Sequence, residues 1–174
     1  YDNGKPKRSN VWVNAKAKNT FTFDASKAPD LININADGIL VAEIMETKTP
    51  EQSLIQFSNS KEFVSRYKAL SAIKDADAKN PAVVKLLATA LKDPFYRLRE
   101  QALNQIDLTN ADQAKALTAE VEKLASNDPK TLVQAAAISA LAKTKNAKYS
   151  SLFEKGMNAV SNAVKGSSLA GIAD

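Results

Sequence analysis

Four times after residue 48 the chain sets a capping side chain directly before a proline: Thr49-Pro50, Asn80-Pro81, Asp93-Pro94 and Asp128-Pro129. A Thr, Asn or Asp oxygen can accept one of the backbone N–H groups that the first helical turn leaves unpaired. Proline at the next position has no N–H to lose. The pair is a start signal, and its recurrence commits this stretch of the chain to a succession of short helices. Asn110-Ala111-Asp112-Gln113 adds a start of capping-box type, and Ser60 with Glu62 adds another. Together with the apolar spacing between them, these signals predict helices over 50–58, 61–76, 81–92, 94–107, 111–126, 130–144 and 148–165. Connections this short turn each helix back on its predecessor. Gly166 and Gly171 lie beyond the last of them, where they read as a helix stop and a terminal tail.

A spacing repeats within these helices. Phe63, Arg66, Ala69, Leu70 and Ile73 match Tyr96, Arg99, Ala102, Leu103 and Ile106 at a shift of 33 residues. A looser third copy through Ala137, Ala140 and Leu141, a further 38 residues on, lacks the arginine and has Thr144 in place of isoleucine. Steps of three and four put these positions on one apolar stripe, with alanine allowing close helix approach. A period of this size with two helices per unit predicts a HEAT- or armadillo-like α-solenoid over 49–174.

The first 48 residues follow a different period. Short apolar runs and alternations at 11–13, 21–23, 31–34 and 39–44 predict four strands. Lys18-Asn19 and Asn35-Ala36-Asp37-Gly38 serve as turns between them, and Pro29 as a break. Four strands are too few to close a sandwich, so the expectation is a small antiparallel β-sheet, a partial β-sandwich, preceding a mainly α domain of about seven helices. Trp12 is the only tryptophan, and filling that sheet's core suits it better than stacking on a base. If the sheet is incomplete, its exposed edge favours a homodimer through the first strand.

Composition narrows the chemistry. There is no histidine and no cysteine among 174 residues, which excludes imidazole bases, His-containing triads, thiolate zinc sites and disulfides from this chain. Asp75/Asp77 and Glu120/Glu122 are two residues apart, a spacing that does not put helical carboxylates on one face. The five glycines form no phosphate-binding loop. A net charge of +5 is spread along the chain, which suits solvated helix faces better than nucleic-acid binding. Lys5, Lys7 and Arg8 make its densest cluster. No run approaches membrane-spanning length. The opening Tyr1-Asp2-Asn3-Gly4-Lys5-Pro6 reads as a cut within a longer protein. Arg66 and Arg99 are the candidate site residues. They face either a groove, where they would bind carboxylate or phosphate, or the neighbouring repeat, which is the simpler reading.

The stretch Leu31-Ile32-Asn33-Ile34-Asn35-Ala36-Asp37-Gly38-Ile39-Leu40 resembles the last strand pair of the β domain in aminopeptidase N-like zinc metallopeptidases, and Phe21-Thr22-Phe23 suits the strand before it. Thr49-Pro50-Glu51-Gln52-Ser53-Leu54-Ile55-Gln56-Phe57 is similar to that family's entry into its helical domain, and Arg66-Tyr67-Lys68-Ala69-Leu70 to its first helical repeat. The resemblance implies that 1–48 is the end of a β-sandwich domain and 49–174 a HEAT-like helical domain. The family's H-E-x-x-H zinc helix has no counterpart here, so the resemblance carries over no catalytic or metal residue. It implies a non-catalytic C-terminal region that shapes or covers the peptide cleft. Zinc would then lie in the parent enzyme's missing catalytic domain, and the partners would be that domain and its peptide substrate. A free-standing HEAT-like protein-binding scaffold is the alternative, and a HEAT-like nucleic-acid binder a third reading. The absence of cysteine suits a reducing or an oxidising compartment equally.

Overall fold

The computed structural model describes residues 6–16, 18–42 and 44–173. Among these, eight α-helices follow one another: α1 (Pro50–Asn59), α2 (Phe63–Ala72), α3 (Pro81–Ala90), α4 (Tyr96–Leu103), α5 (Ala111–Asn127), α6 (Thr131–Ala142), α7 (Ser150–Met157) and α8 (Asn162–Ala173). A 3-10 turn, Ala147–Tyr149, leads into α7.

The start signals act in two ways. At α1 the Thr49 hydroxyl accepts from Gln52 N while the Gln52 side chain accepts from Thr49 N, a complete capping box before Pro50. Asn80 caps α3 through Ala82 N, and Asn110 caps α5 through Asp112 N and Gln113 N. Asp93 and Asp128 behave differently. Each carboxylate accepts from the backbone N–H two residues on, at Phe95 and Lys130, and the helix begins one residue later still. These aspartates make Asx turns just outside the helices, which leaves carboxylate capacity for a second donor.

Helices α1, α3 and α5 lie side by side in one row, and α2, α4, α6 and α8 in a second. Hairpins α1/α2, α3/α4, α5/α6 and α7/α8 join the rows. The fold is mainly α, and this two-row stacking of hairpins is compatible with an α-solenoid. The apolar core runs between the rows without interruption, from Phe57 and Leu70 through Leu87, Leu98 and Leu103 to Leu117, Val133, Ile138 and Phe153. Helix α6 is central, touching α4, α5 and α8. Its sequence, Thr-Leu-Val-Gln-Ala-Ala-Ala-Ile-Ser-Ala-Leu-Ala, is apolar nearly all round, as such a position demands.

The expected helix over 148–165 is two helices broken at 158–161, and Gly166 and Gly171 lie inside the second. Close packing accounts for Gly171, and for Gly156 on the preceding helix, whereas a β-carbon on Gly166 would meet nothing within 4 Å. A β-carbon on Gly156 would meet the Ser168 Oγ at 2.0 Å and Cβ at 2.9 Å; one on Gly171 would meet Phe153 at 3.0 Å and the Ala142 Cβ at 3.1 Å. These glycines let α8 fold back onto α6 and α7, a tertiary demand that leaves no turn signature in the sequence.

The antiparallel β-sheet is absent. Among the described residues there is no strand, so neither the partial β-sandwich nor a strand edge for homodimerisation exists there. Trp12 is 82% exposed and Val41 99% exposed, and Val11, Phe23, Ile32 and Ile39 also face solvent. Alternation selects a face, but a strand has no hydrogen bonds of its own and needs a neighbour in register to supply them. The local turn survives where the strands do not. Asn35, at φ 51°, accepts from Leu40 N and donates to Leu40 O through its side-chain amide, and Gly38, at φ 68°, donates to Asn35 O. Around it, Leu31 is buried and the Asn33 amide donates to Ser65 Oγ at 3.3 Å, seating this segment against α2. In the basic cluster, Arg8 grips both oxygens of Asp37 and Lys7 donates to Asp24 O. Tyr1, Lys5 and Glu43 lie outside the described residues, and with them the chain's opening, one end of the basic cluster and a position of the fourth expected strand.

Candidate functional site

Arg66 and Arg99 stand at equivalent places on α2 and α4, and both turn toward the next repeat. The Arg99 Nε and Nη2 donate to the two carboxylate oxygens of Asp128 at 2.7 and 2.9 Å, a bidentate pair. Its Nη1 donates to Asp93 O at 2.8 Å and Pro94 O at 3.2 Å. One guanidinium thus joins the backbone of its own interhelical loop to the carboxylate of the next. The side chains are 10% and 2% exposed, so the pair is shielded from water.

Arg66 repeats the arrangement more loosely. Its Nε lies 2.8 Å from Asp93 Oδ2, its Nη2 donates to Asp93 Oδ1 at 3.3 Å, and its Nη1 reaches Ser60 O and Lys61 O. The third unit keeps half of the device. Gln134 of α6 donates to Asp128 O at 2.7 Å, the same six-residue reach that Arg99 makes to Asp93 O and Arg66 to Ser60 O. This places the third copy 35 residues after the second, with Gln134 standing where the arginine stood, rather than the 38 expected from alanine spacing alone. The next interhelical loop, 158–161, has no acid, so arginine and aspartate disappear together at this end of the series.

Both arginines bond to an aspartate of the following hairpin, and the residues that sequence reasoning missed are these partners. Asp93 and Asp128 were legible only as helix caps. Their separations of 27 and 29 residues from Arg66 and Arg99 were the available signal.

The other candidates disperse. Glu120 pairs with Lys123, whereas Glu122 accepts from the Lys148 Nζ at 2.9 Å and the Tyr149 hydroxyl at 2.7 Å. Lys148 and then Tyr149 hold the Glu122 carboxyl below the usual range, and burial is the main cause raising the Tyr149 phenol. The Asp77 carboxylate accepts from Lys79 N in a solvated loop. Among the described residues no three acidic side chains converge as a metal site would require. No described helix is long and apolar enough to cross a membrane.

Two surface features remain. A cleft of about 200 Å³ lies between the 33–38 segment and the start of α2, lined by Gln56, Phe63, Val64 and Lys68. Beside it runs a ridge of rings across the starts of α2 and α4. Tyr67 and Phe63 are 5.7 Å apart, Phe63 meets Phe95 edge-on at 4.7 Å, and Phe95 lies 5.5 Å from Tyr96. Arg97 and Lys130 sit 5.2 and 5.7 Å from the Tyr96 ring centre, extending the ridge to α6. The pairing of Phe63 with Tyr96 was visible as a repeat position; the exposure of the rings was not. No known family model, curated protein or solved structure matches this chain.

Proposed function

We propose that this chain is the non-catalytic C-terminal region of a zinc aminopeptidase, whose helical repeats pack beside the catalytic domain and shape or cover its peptide cleft. The observation that carries the reading is the contrast in burial across residue 48. The helical core is filled by its own side chains, while Trp12, Phe23, Ile39 and Val41 stand in solvent on the segment before it. So many exposed apolar side chains on one short segment support a contact site there, and in this reading the catalytic domain of the same polypeptide covers it. Zinc belongs to that domain. This chain has no histidine or cysteine to hold it in the family's manner, and no acidic cluster among the described residues substitutes.

The test is to express the domain encoded upstream and titrate the present chain into it. Association that Val41→Asp or Trp12→Asp weakens at least tenfold, with a changed KM for long peptides, is expected. An upstream sequence lacking an H-E-x-x-H helix, or peptidase turnover with stoichiometric zinc by the present chain alone, overturns the reading. The alternative of a HEAT-like protein-binding scaffold is favoured by one observation, the exposed ring ridge.

A further inference from the structure

We propose that the ridge formed by Phe63, Tyr67, Phe95 and Tyr96, with Lys130 and Arg97 at its far end, is a docking surface for an extended acidic polypeptide segment. Three observations converge on it. Phe63, Tyr67 and Phe95 are each more than a third exposed although they touch one another, so their mutual packing leaves ring surface open. The ridge is bordered by Lys61, Lys68, Arg97 and Lys130 against Asp37, Glu62 and Glu100, of which Asp37 is already paired with Arg8 and Glu100 with Arg97. Asp93 and Asp128, the other acids at these helix starts, are buried and neutralised by Arg66 and Arg99. The edge is therefore cationic toward solvent, and a partner carrying carboxylates complements it.

The third observation is how the fold uses the near end of the same surface. The chain's own 33–38 segment, irregular and non-helical, lies across the start of α2, bonded from Asn33 to Ser65 and facing Phe63, Val64 and Lys68 over the cleft. One end of the ridge thus already seats a length of non-helical polypeptide. The start of α4 continues this surface, with Phe95 40% exposed, and Lys130 at the start of α6 borders it. An incoming segment would lay apolar or aromatic side chains on Phe95 and Tyr96 and direct carboxylates to Lys130, Lys61 and Lys68. The inference uses only this edge of the solenoid and does not depend on membership of an aminopeptidase.

The probe is a short fluorescein-labelled peptide in which Glu alternates with Leu and Tyr, compared with its Lys-for-Glu counterpart, using the full chain and fluorescence anisotropy. Saturable binding of the acidic peptide alone is expected, weakening as salt rises. Tyr96→Ala and Lys130→Glu should each reduce affinity about fivefold or more. Lys130 is exposed, so its charge reversal reads out the surface even if Tyr96→Ala perturbs folding; circular dichroism separates the two effects. Equal binding of both peptides, no binding of either, or indifference to Lys130→Glu overturns the proposal.

Discussion

Residues 6–48 and 50–173 are both patterned with apolar side chains, yet only the second stretch buries most of them. In the helical stretch each element draws its regular hydrogen bonds from its own backbone, so the local pattern specifies the element, and stacking its apolar stripe supplies the stability that such short helices lack alone. In the N-terminal stretch the pattern specifies a face without supplying the hydrogen-bond partner. Turns closed by a single side chain, as at Asn35, form on their own, whereas the ladders do not. Where a backbone finds its hydrogen bonds determines whether a hydrophobic pattern is enough.

The strongest way to break this comparison is to attack the contacts that tie successive helical hairpins together. Arg99→Ala leaves the Asp128 carboxylate buried without its cation and removes two bonds to loop carbonyls. A loss of about 3–5 kcal/mol is expected in urea denaturation. Arg66→Ala should cost clearly less, because that pair is looser and more exposed. Equal costs would mean that the ladder's geometry does not govern its strength.

Gly156→Ala probes the packing of α8. Its new β-carbon falls on Ser168, forcing the helices apart at a cost of about 1–3 kcal/mol, against roughly 1 kcal/mol gained in helix propensity. A lower melting temperature is expected, with recovery in the Gly156→Ala, Ser168→Gly double variant. Unchanged melting of the single variant would show that α8 does not dock this closely.

A smaller effect comes from acid. The folded Glu122 carboxyl lies below its unfolded value because Lys148, and then Tyr149, bond to it. Its stabilisation is therefore complete above the unfolded glutamate value of about 4.3 and fades as pH falls through the lowered folded value. Stability curves of the wild type and Glu122→Gln should converge over that interval and differ above it. The smallest effect is expected in the N-terminal stretch. Trp12→Ala removes a side chain that is 82% exposed and should change stability by less than about 0.5 kcal/mol. A larger loss would show that these residues contribute to the core after all.

Much of the helical stretch was legible because its signals are local. Thr49-Pro50 and Asn80-Pro81 marked their helix starts to the residue, and the stripe through Ala69, Leu70, Ala102 and Leu103 is the buried one. Asp93-Pro94 and Asp128-Pro129 signalled the right places but early starts, because each aspartate bridges to the previous repeat and its Asx turn holds the chain outside the helix. The candidate arginines were identified from the repeat; their acceptors and the exposed rings were not, since both depend on how one hairpin lies against the next. The sheet was misread for the corresponding reason, that alternation says nothing about whether a partner strand is present.

The sequence by itself determined that this chain makes a succession of short helices, three of them opened by a side-chain cap, and that it carries no imidazole or thiol chemistry, because these follow from residue type and spacing along a few turns. Only the tertiary structure decided that Arg66 and Arg99 join consecutive repeats, that Gly156 and Gly171 admit α8, and that rings gather at one edge. Those outcomes depend on distances between residues far apart in the chain, 27 and 29 positions for the two arginine pairs, which the stacking of helices sets and no local pattern encodes.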